Sequence, residues 1–179
     1  MKKIVSIVLA LVTCVTLMLS LGSCSATEKH MGFKEISGEI NDFVLYVPSE
    51  WTETSQNGYV SANVNGEDGD ASNVSVMSAI VNGDNVTPES YYEDLITSYA
   101  DMYDNVETLQ RDIDNKLGEK NAKKYVFTAD VLGNKYKFMQ VICIYNARVY
   151  LFTYTSTEEF YDTWETEVKY VLEYFEYKA

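Results

Sequence analysis

The stretch Lys135-Tyr136-Lys137-Phe138-Met139-Gln140-Val141-Ile142-Cys143-Ile144-Tyr145 decides how this chain folds. Its β-branched and aromatic content predicts a strand. Phe138, Ile142 and Ile144 alternate with Met139, Val141 and Cys143, so apolar side chains fall on both sides. A strand that is apolar on both faces must be covered on both. Lys123 to Val131 and Arg148 to Thr155 read as its neighbours. Gly133-Asn134 and Asn146-Ala147 have the composition of two-residue hairpin turns. The expected fold class is therefore α+β: an antiparallel β-sheet covered by helices on both faces, a three-layer α/β/α sandwich.

Two helices are available for those layers. Thr87-Pro88-Glu89 opens the first, with Thr87 as cap, Pro88 at the first helical position and Glu89 at the positive end. Tyr92, Leu95, Ile96, Tyr99 and Met102 recur at three and four and form its inward stripe. The second is expected from near Ser156, where Ser156 and Glu159 have capping-box spacing, with Phe160, Trp164, Val168, Val171 and Phe175 turned inward. Upstream, Phe33 to Ile40 and Asp42 to Val47 read as a strand pair ended by Pro48, with Trp51 as a core plug. Tyr59 to Asn65, Asn73 to Val81 and Val106 to Ile113 are further strands, and Asp114 to Glu119 reads as a turn.

The amino terminus decides location. Met1-Lys2-Lys3 precedes an apolar run from Ile4 to Leu19, and Gly22-Ser23 then lead into Cys24. A basic head, an apolar middle and small residues before a cleavage point describe a secretory signal. Leu21-Gly22-Ser23-Cys24 resembles the lipobox of bacterial lipoproteins. That likeness implies cleavage before Cys24 and diacylglycerol on its thiol, which meets the two-chain requirement for stable anchoring. The competing reading is an uncleaved span, since Ile4 to Leu21 reaches the lower length limit. The expected organisation is a signal peptide over 1–23, a lipidated tether over 24–32 and one globular domain over 33–179, outside the cytoplasm and held to the lipid bilayer through Cys24.

The chain has 179 residues, 27 of them acidic and 14 basic. Lys2 and Lys3 leave with the signal, which moves the net charge from −13 to −15. Such a surface repels phosphate backbones and excludes nucleic-acid binding. Cys14 leaves with the signal and Cys24 carries lipid, so Cys143 is left without an internal disulfide partner. On its apolar strand it reads as a small core residue. The single histidine, His30, falls in the tether, where a catalytic base would be loosely held.

With these residues laid out, the mature chain resembles the PsbP-like family, which includes bacterial lipoproteins of the DcrB type. The likeness rests on Phe43 to Val47 with Pro48 and Trp51, on Asn73-Val74-Ser75-Val76, on the Leu117-Gly118 turn before Ala122 and Lys124-Tyr125, and on Val149 to Thr155 with a helix up to Tyr174-Phe175. The resemblance implies an antiparallel sheet between helices. It also implies an accessory protein that binds or helps assemble membrane complexes without shared catalytic chemistry or a carried-over cofactor. Fold likeness alone assigns no activity.

Three chemistries compete on the residues. Asn65, Glu67, Asp68 and Asp70 form an acidic loop with hard oxygens that calcium could accept, although the EF-hand frame fails and a plain solvated loop is the favoured explanation. Asp112 and Asp114 share a strand face and raise a carboxylate-pair hydrolase, which would need a fixed separation in a cleft. Tyr91, Tyr92, Tyr99, Tyr103, Tyr161, Tyr170, Tyr174 and Tyr177 lie along the helical stretches and suit either boundary packing or a protein-binding face. The expected function is a membrane-anchored, non-catalytic binding or accessory module with an envelope protein partner and no cofactor. The alternatives are a calcium- or small-ligand-binding lipoprotein and a carboxylate-based hydrolase.

Overall fold

The strand read from Lys135 to Tyr145 lies inside a seven-stranded antiparallel sheet in the computed structural model. The structure describes residues 30–37, 41–55, 59–81 and 85–178. Residues 1–31 and 32–179 form separate units, and the fold belongs to the second. The signal peptide, Cys24 and most of the tether lie outside the described residues.

In chain order the elements are β1 (Phe33–Glu35), β2 (Phe43–Val44), β3 (Tyr46–Pro48), β4 (Thr52–Glu53), β5 (Tyr59–Asn63), β6 (Asn73–Ile80), α1 (Pro88–Met102), β7 (Asp104–Leu117), β8 (Lys120–Val131), β9 (Asn134–Tyr145), β10 (Arg148–Thr157), a 3-10 turn (Tyr161–Trp164), α2 (Glu165–Glu173) and β11 (Glu176–Tyr177). The large sheet runs β4-β5-β6-β10-β9-β8-β7. Two small ribbons, β1-β3 and β2-β11, stand apart from it.

The alternation in β9 sorts the core into two clusters. Val141 and Cys143 join Val126, Phe152, Val168, Val171 and Phe175. Ile142 joins Tyr125, Phe127, Leu151 and Tyr92 of α1. Successive side chains of a strand point to opposite faces, so these are the two sides of one sheet. Fully burying a side chain such as Phe152 contributes about 1.5–3 kcal/mol.

Helices alone do not cover those faces, contrary to the layered expectation. The nine residues of α2 span about 14 Å, whereas seven strands at a spacing of about 4.8 Å span roughly 29 Å. The ribbons supply the remaining cover on the α2 side, with Phe43, Leu45, Val47 and Trp51 in its core cluster. Trp51 is the expected plug, buried with its ring edge-on to Trp164 at 6.1 Å.

Several boundaries shift, each for a local reason. Phe33–Glu35 pairs with Tyr46–Pro48, while Phe43–Val44 pairs with Glu176–Tyr177, so the first strand pair is split between two ribbons. The hairpin turn after β8 is Leu132-Gly133, with φ of 53° and 84°; Asn134 already pairs with Val131. Asn146-Ala147 is a turn as expected, with φ of 50° and 56°. The expected turn at Asp114 to Glu119 is strand as far as Leu117, because Asp114 to Lys116 pair with Asn121 to Lys123. Ser156 does not cap a helix. It lies opposite Lys137 in the ladder, and its hydroxyl bonds Ser72 Oγ at 2.7 Å. Helix α2 starts only at Glu165 and has no side-chain cap. Thr87 does cap α1, in a reciprocal box with Ser90. Met102, the last residue of the α1 stripe, is 61% exposed. Tyr99, three residues earlier, still stacks on Phe127 at 5.4 Å while its hydroxyl accepts from the Gln140 amide.

Candidate functional site

The acidic loop is built into the scaffold. Asp70 accepts the Ser72 backbone N–H at 2.8 Å through Oδ1 and the Trp164 indole N–H at 2.7 Å through Oδ2. Asn65 accepts from Thr52 Oγ1 at 2.9 Å and donates to the Glu50 carbonyl. Glu67 and Asp68 are exposed. Among the described residues no three acidic, histidine or cysteine side chains converge as a metal group would require.

Asp112 and Asp114 sit on the outer strand β7, and each is tied to a cation. Arg111 Nε lies 3.2 Å from Asp112, and Lys123 Nζ donates to Asp114 at 2.7 Å. That bond and the lysine charge hold the Asp114 carboxyl below its usual range. A glycosidase acid needs the opposite shift. Cys143 is buried in the α2-side core, and burial pushes its thiol up, away from the thiolate a nucleophile needs.

The tyrosines mostly pack at boundaries. Tyr92 is buried and stacks on Tyr125 at 3.9 Å. Tyr161 belongs to the 3-10 turn and Tyr177 to β11, so neither lies on a helix face as expected. Phe33, Tyr170 and Tyr174 form one ring cluster, with centroids 5.1–6.2 Å apart.

A different feature has the form of a site. A trough of about 560 Å³ runs between α2 and the β7–β9 end of the sheet. Lys116 and Lys124 line its sheet side, Lys169 its helix side, and Met139 and Leu172 also line it. Glu165 and Glu173 stand on the helix lip. A smaller hollow of about 230 Å³ shares Lys124, Met139 and Glu165 with it and continues along Val126, Val168 and Tyr161. Eleven lysines and arginines lie among the described residues. Arg111, Lys123, Lys135, Lys137 and Arg148 make ion pairs. Lys120 lies over the Tyr145 ring, Lys34 bonds the Trp51 carbonyl, and Lys178 is also engaged. Among the described residues, Lys116, Lys124 and Lys169 make no side-chain hydrogen bond, ion pair or ring contact; Lys124 and Lys169 share the trough with Glu165 and Glu173, and Lys116 also borders the hollow beside Pro88 and Glu89. The sequence contained no signal for the trough, because its lining comes from β7, β8, β9 and α2.

The fold as a whole superposes on known structures. The solution structure of the cyanobacterial PsbP, CyanoP, from Synechocystis sp. PCC 6803 superposes with a TM-score of 0.62, over 88% of this chain and 99% of that one, at 14% identity. The fold is PsbP-like. LpqN of Mycobacterium tuberculosis, a protein involved in cell envelope biogenesis, shares this PsbP-like fold with a TM-score of 0.56, over 82% and 91% of the chains, at 11% identity. The Ran-binding protein Mog1p of Saccharomyces cerevisiae does so with a TM-score of 0.55, over 83% and 96%, at 8% identity. No protein-family model matches the sequence, and no curated protein matches it.

Proposed function

We propose that this chain is a lipoprotein anchored through Cys24 on the outer side of the cell membrane, and that its PsbP-like domain is a non-catalytic binding or accessory module for an envelope protein complex. The observation that carries the reading is the likeness to an envelope-biogenesis protein over 82% of this chain, together with Leu21-Gly22-Ser23-Cys24 ahead of the domain. In this reading the sheet is the middle layer, with α1 on one face and α2 with the ribbons on the other. Partner contacts are made by the domain surface, and the lipid keeps that surface within reach of the bilayer. Radiolabelled palmitate should enter the wild-type chain and not Cys24→Ser. Crosslinking in intact cells should then recover an envelope protein with the wild type. An unmodified Cys24, or a purified domain that turns over an envelope substrate, overturns the proposal.

A further inference from the structure

We propose that the part of the sheet that α1 leaves open, over β5, β6 and β10, binds an uncharged saccharide. Strand register builds this face. Tyr59, Met77 and Leu151 stand opposite one another across the three strands. Ser61, Ser75 and Thr153 form the next row, and Asn63 pairs with Asn73 beyond it. The residues between them, Val60, Ala62, Val74, Val76 and Phe152, are buried in the α2-side core, so the rows point to the α1 side. Helix α1 covers that side over β8, where Tyr92 stacks on Tyr125 and Tyr99 on Phe127. Beside it lies a hollow of about 480 Å³, floored by the rows and bordered by Tyr99 and Thr54. That size lies within the range of small-molecule sites.

Three observations select the occupant. The first is charge. None of the residues lining the hollow is charged, in a chain that is 23% charged. The hollows beside α2 and beside Pro88 are lined by lysines and glutamates. An ion would find no counter-charge here, so the face suits a neutral ligand. The second is free hydrogen-bonding capacity. Asn63 and Ser75 make no side-chain hydrogen bond among the described residues, and Asn73 uses one amide proton on the Ala71 carbonyl. Tyr99 accepts from the Gln140 amide at 2.8 Å, which leaves its own proton to donate. Gln140 follows Thr153 in the second row; it is 2% exposed, and its Oε1 has no partner. Amides and hydroxyls both donate and accept, as sugar hydroxyls do. The third is the apolar ground beside them. Tyr59 is 42% exposed and stands opposite Met77, which is 38% exposed. The C–H face of a sugar ring packs on such a ring while its hydroxyls reach the amides. A lipid chain would cover Tyr59 and Met77 but strand the hydroxyls and amides next to them.

The inference goes beyond the accessory reading and stands or falls separately from it, since the search for an envelope partner does not probe this face. The test uses the mature chain, residues 24–179 with Cys24→Ala, labelled with nitrogen-15 and followed by NMR. The probes are maltotriose, cellotriose, mannotriose and triacetylchitotriose, with trigalacturonate as the charged control. At least one neutral trimer should bind with a Kd of about 5 mM or tighter and shift the side-chain amide signals of Asn63 and Asn73. Trigalacturonate should bind at least about tenfold more weakly, because its carboxylates meet an acidic chain with no cation in the hollow. Exchanging Asn63 and Asn73 together for Ala should weaken the neutral trimer by about tenfold or more, with an unchanged melting temperature as the check on folding. Tyr59→Ala should weaken it by about fivefold or more, and Asp68→Asn, in the acidic loop, by less than about twofold. The proposal is overturned if no neutral trimer binds at about 5 mM or tighter, if trigalacturonate binds as well, or if the double variant binds like wild type. Equal competition by a neutral Gly-Ser peptide would overturn it in favour of a protein segment. A concentration-dependent dimer that Tyr59→Ala dissolves would overturn it in favour of a second copy of this chain.

Discussion

Raising the pH should unfold this domain abruptly between about 10 and 12, and the cause is a set of buried phenols. Burial pushes Tyr150 up to about 12 from 10.0, helped by its bond to the Asp42 carboxylate at 2.9 Å. Burial also pushes Tyr154 up to about 12. Tyr125, Tyr161 and Tyr177 move further in the same direction, each chiefly through burial. A phenol whose folded pKa lies above its unfolded value favours the fold fully below pH 10. Above that, the unfolded chain releases a proton that the folded one retains, so stability falls until the folded pKa is reached. Two units correspond to about 2.7 kcal/mol, so Tyr150 and Tyr154 alone remove about 5 kcal/mol between pH 10 and 12. That is comparable with the whole stability of many domains, about 5–15 kcal/mol. Tyrosinate absorbance at 295 nm should therefore rise steeply within this window, in step with loss of near-ultraviolet dichroism. Tyr150→Phe adds a sign reversal. At pH 7 it loses a hydrogen bond to a carboxylate, at a cost of about 1.5–3 kcal/mol. Near pH 12 it is as stable as wild type or more so, because it has no phenol to ionise. A smooth absorbance rise centred near pH 10 with the dichroism intact would refute the reasoning.

Three further substitutions test the packing. Gly118→Ala places a Cβ about 2.1 Å from the Phe175 carbonyl oxygen at a φ of +55°, and should lose more than about 2 kcal/mol in urea unfolding. A loss under about 0.5 kcal/mol would show that the backbone gives way. Leu132 is 99% exposed at a φ of 53°, so Leu132→Asn should stabilise the β8–β9 turn by up to about 1 kcal/mol, read as a higher melting temperature. Asp70→Ala strands the Trp164 indole N–H and should cost about 1–3 kcal/mol, with a shifted tryptophan emission. Asp70→Ala behaving like wild type would show that the loop is held by other bonds.

The parts of the fold visible in the sequence are those where local chemistry and tertiary context agree. The two-sided alternation in β9 became the division between two core clusters. Phe43, Leu45 and Val47 are buried on one side, and Thr87 caps α1. The misread places are those where a partner distant in sequence overrode a local preference. Ser156 has capping chemistry, but Ser72 holds it in the sheet, 84 positions away. Phe43 and Val44 pair with residues beyond α2. The acidic loop resembles a cation site in isolation, yet its Asp70 receives the Trp164 indole 94 positions away.

Strand β7 explains the missed boundary. It is the outer strand of the sheet and runs for 14 residues, long enough to template pairing with another chain. Edges of this kind are protected by charge and by bulges. Here Arg111, Asp112, Asp114 and Lys116 supply the charge, and the register breaks between Asp104 and Glu107, between Thr108 and Gln110 and between Gln110 and Ile113, with Asn105 and Asp112 at positive φ. The residues that keep the edge soluble are those that make the sequence read as a turn. Alternation along β7 turns Asn115 and Leu117 toward α2 and leaves Asp114 and Lys116 on the α1 face, where Asp114 accepts from Lys123. Lys116→Glu should therefore preserve the fold and leave the domain soluble, because the edge stays charged, and gel filtration should show no new oligomer. Aggregation of that variant would refute the protective role of charge at this edge.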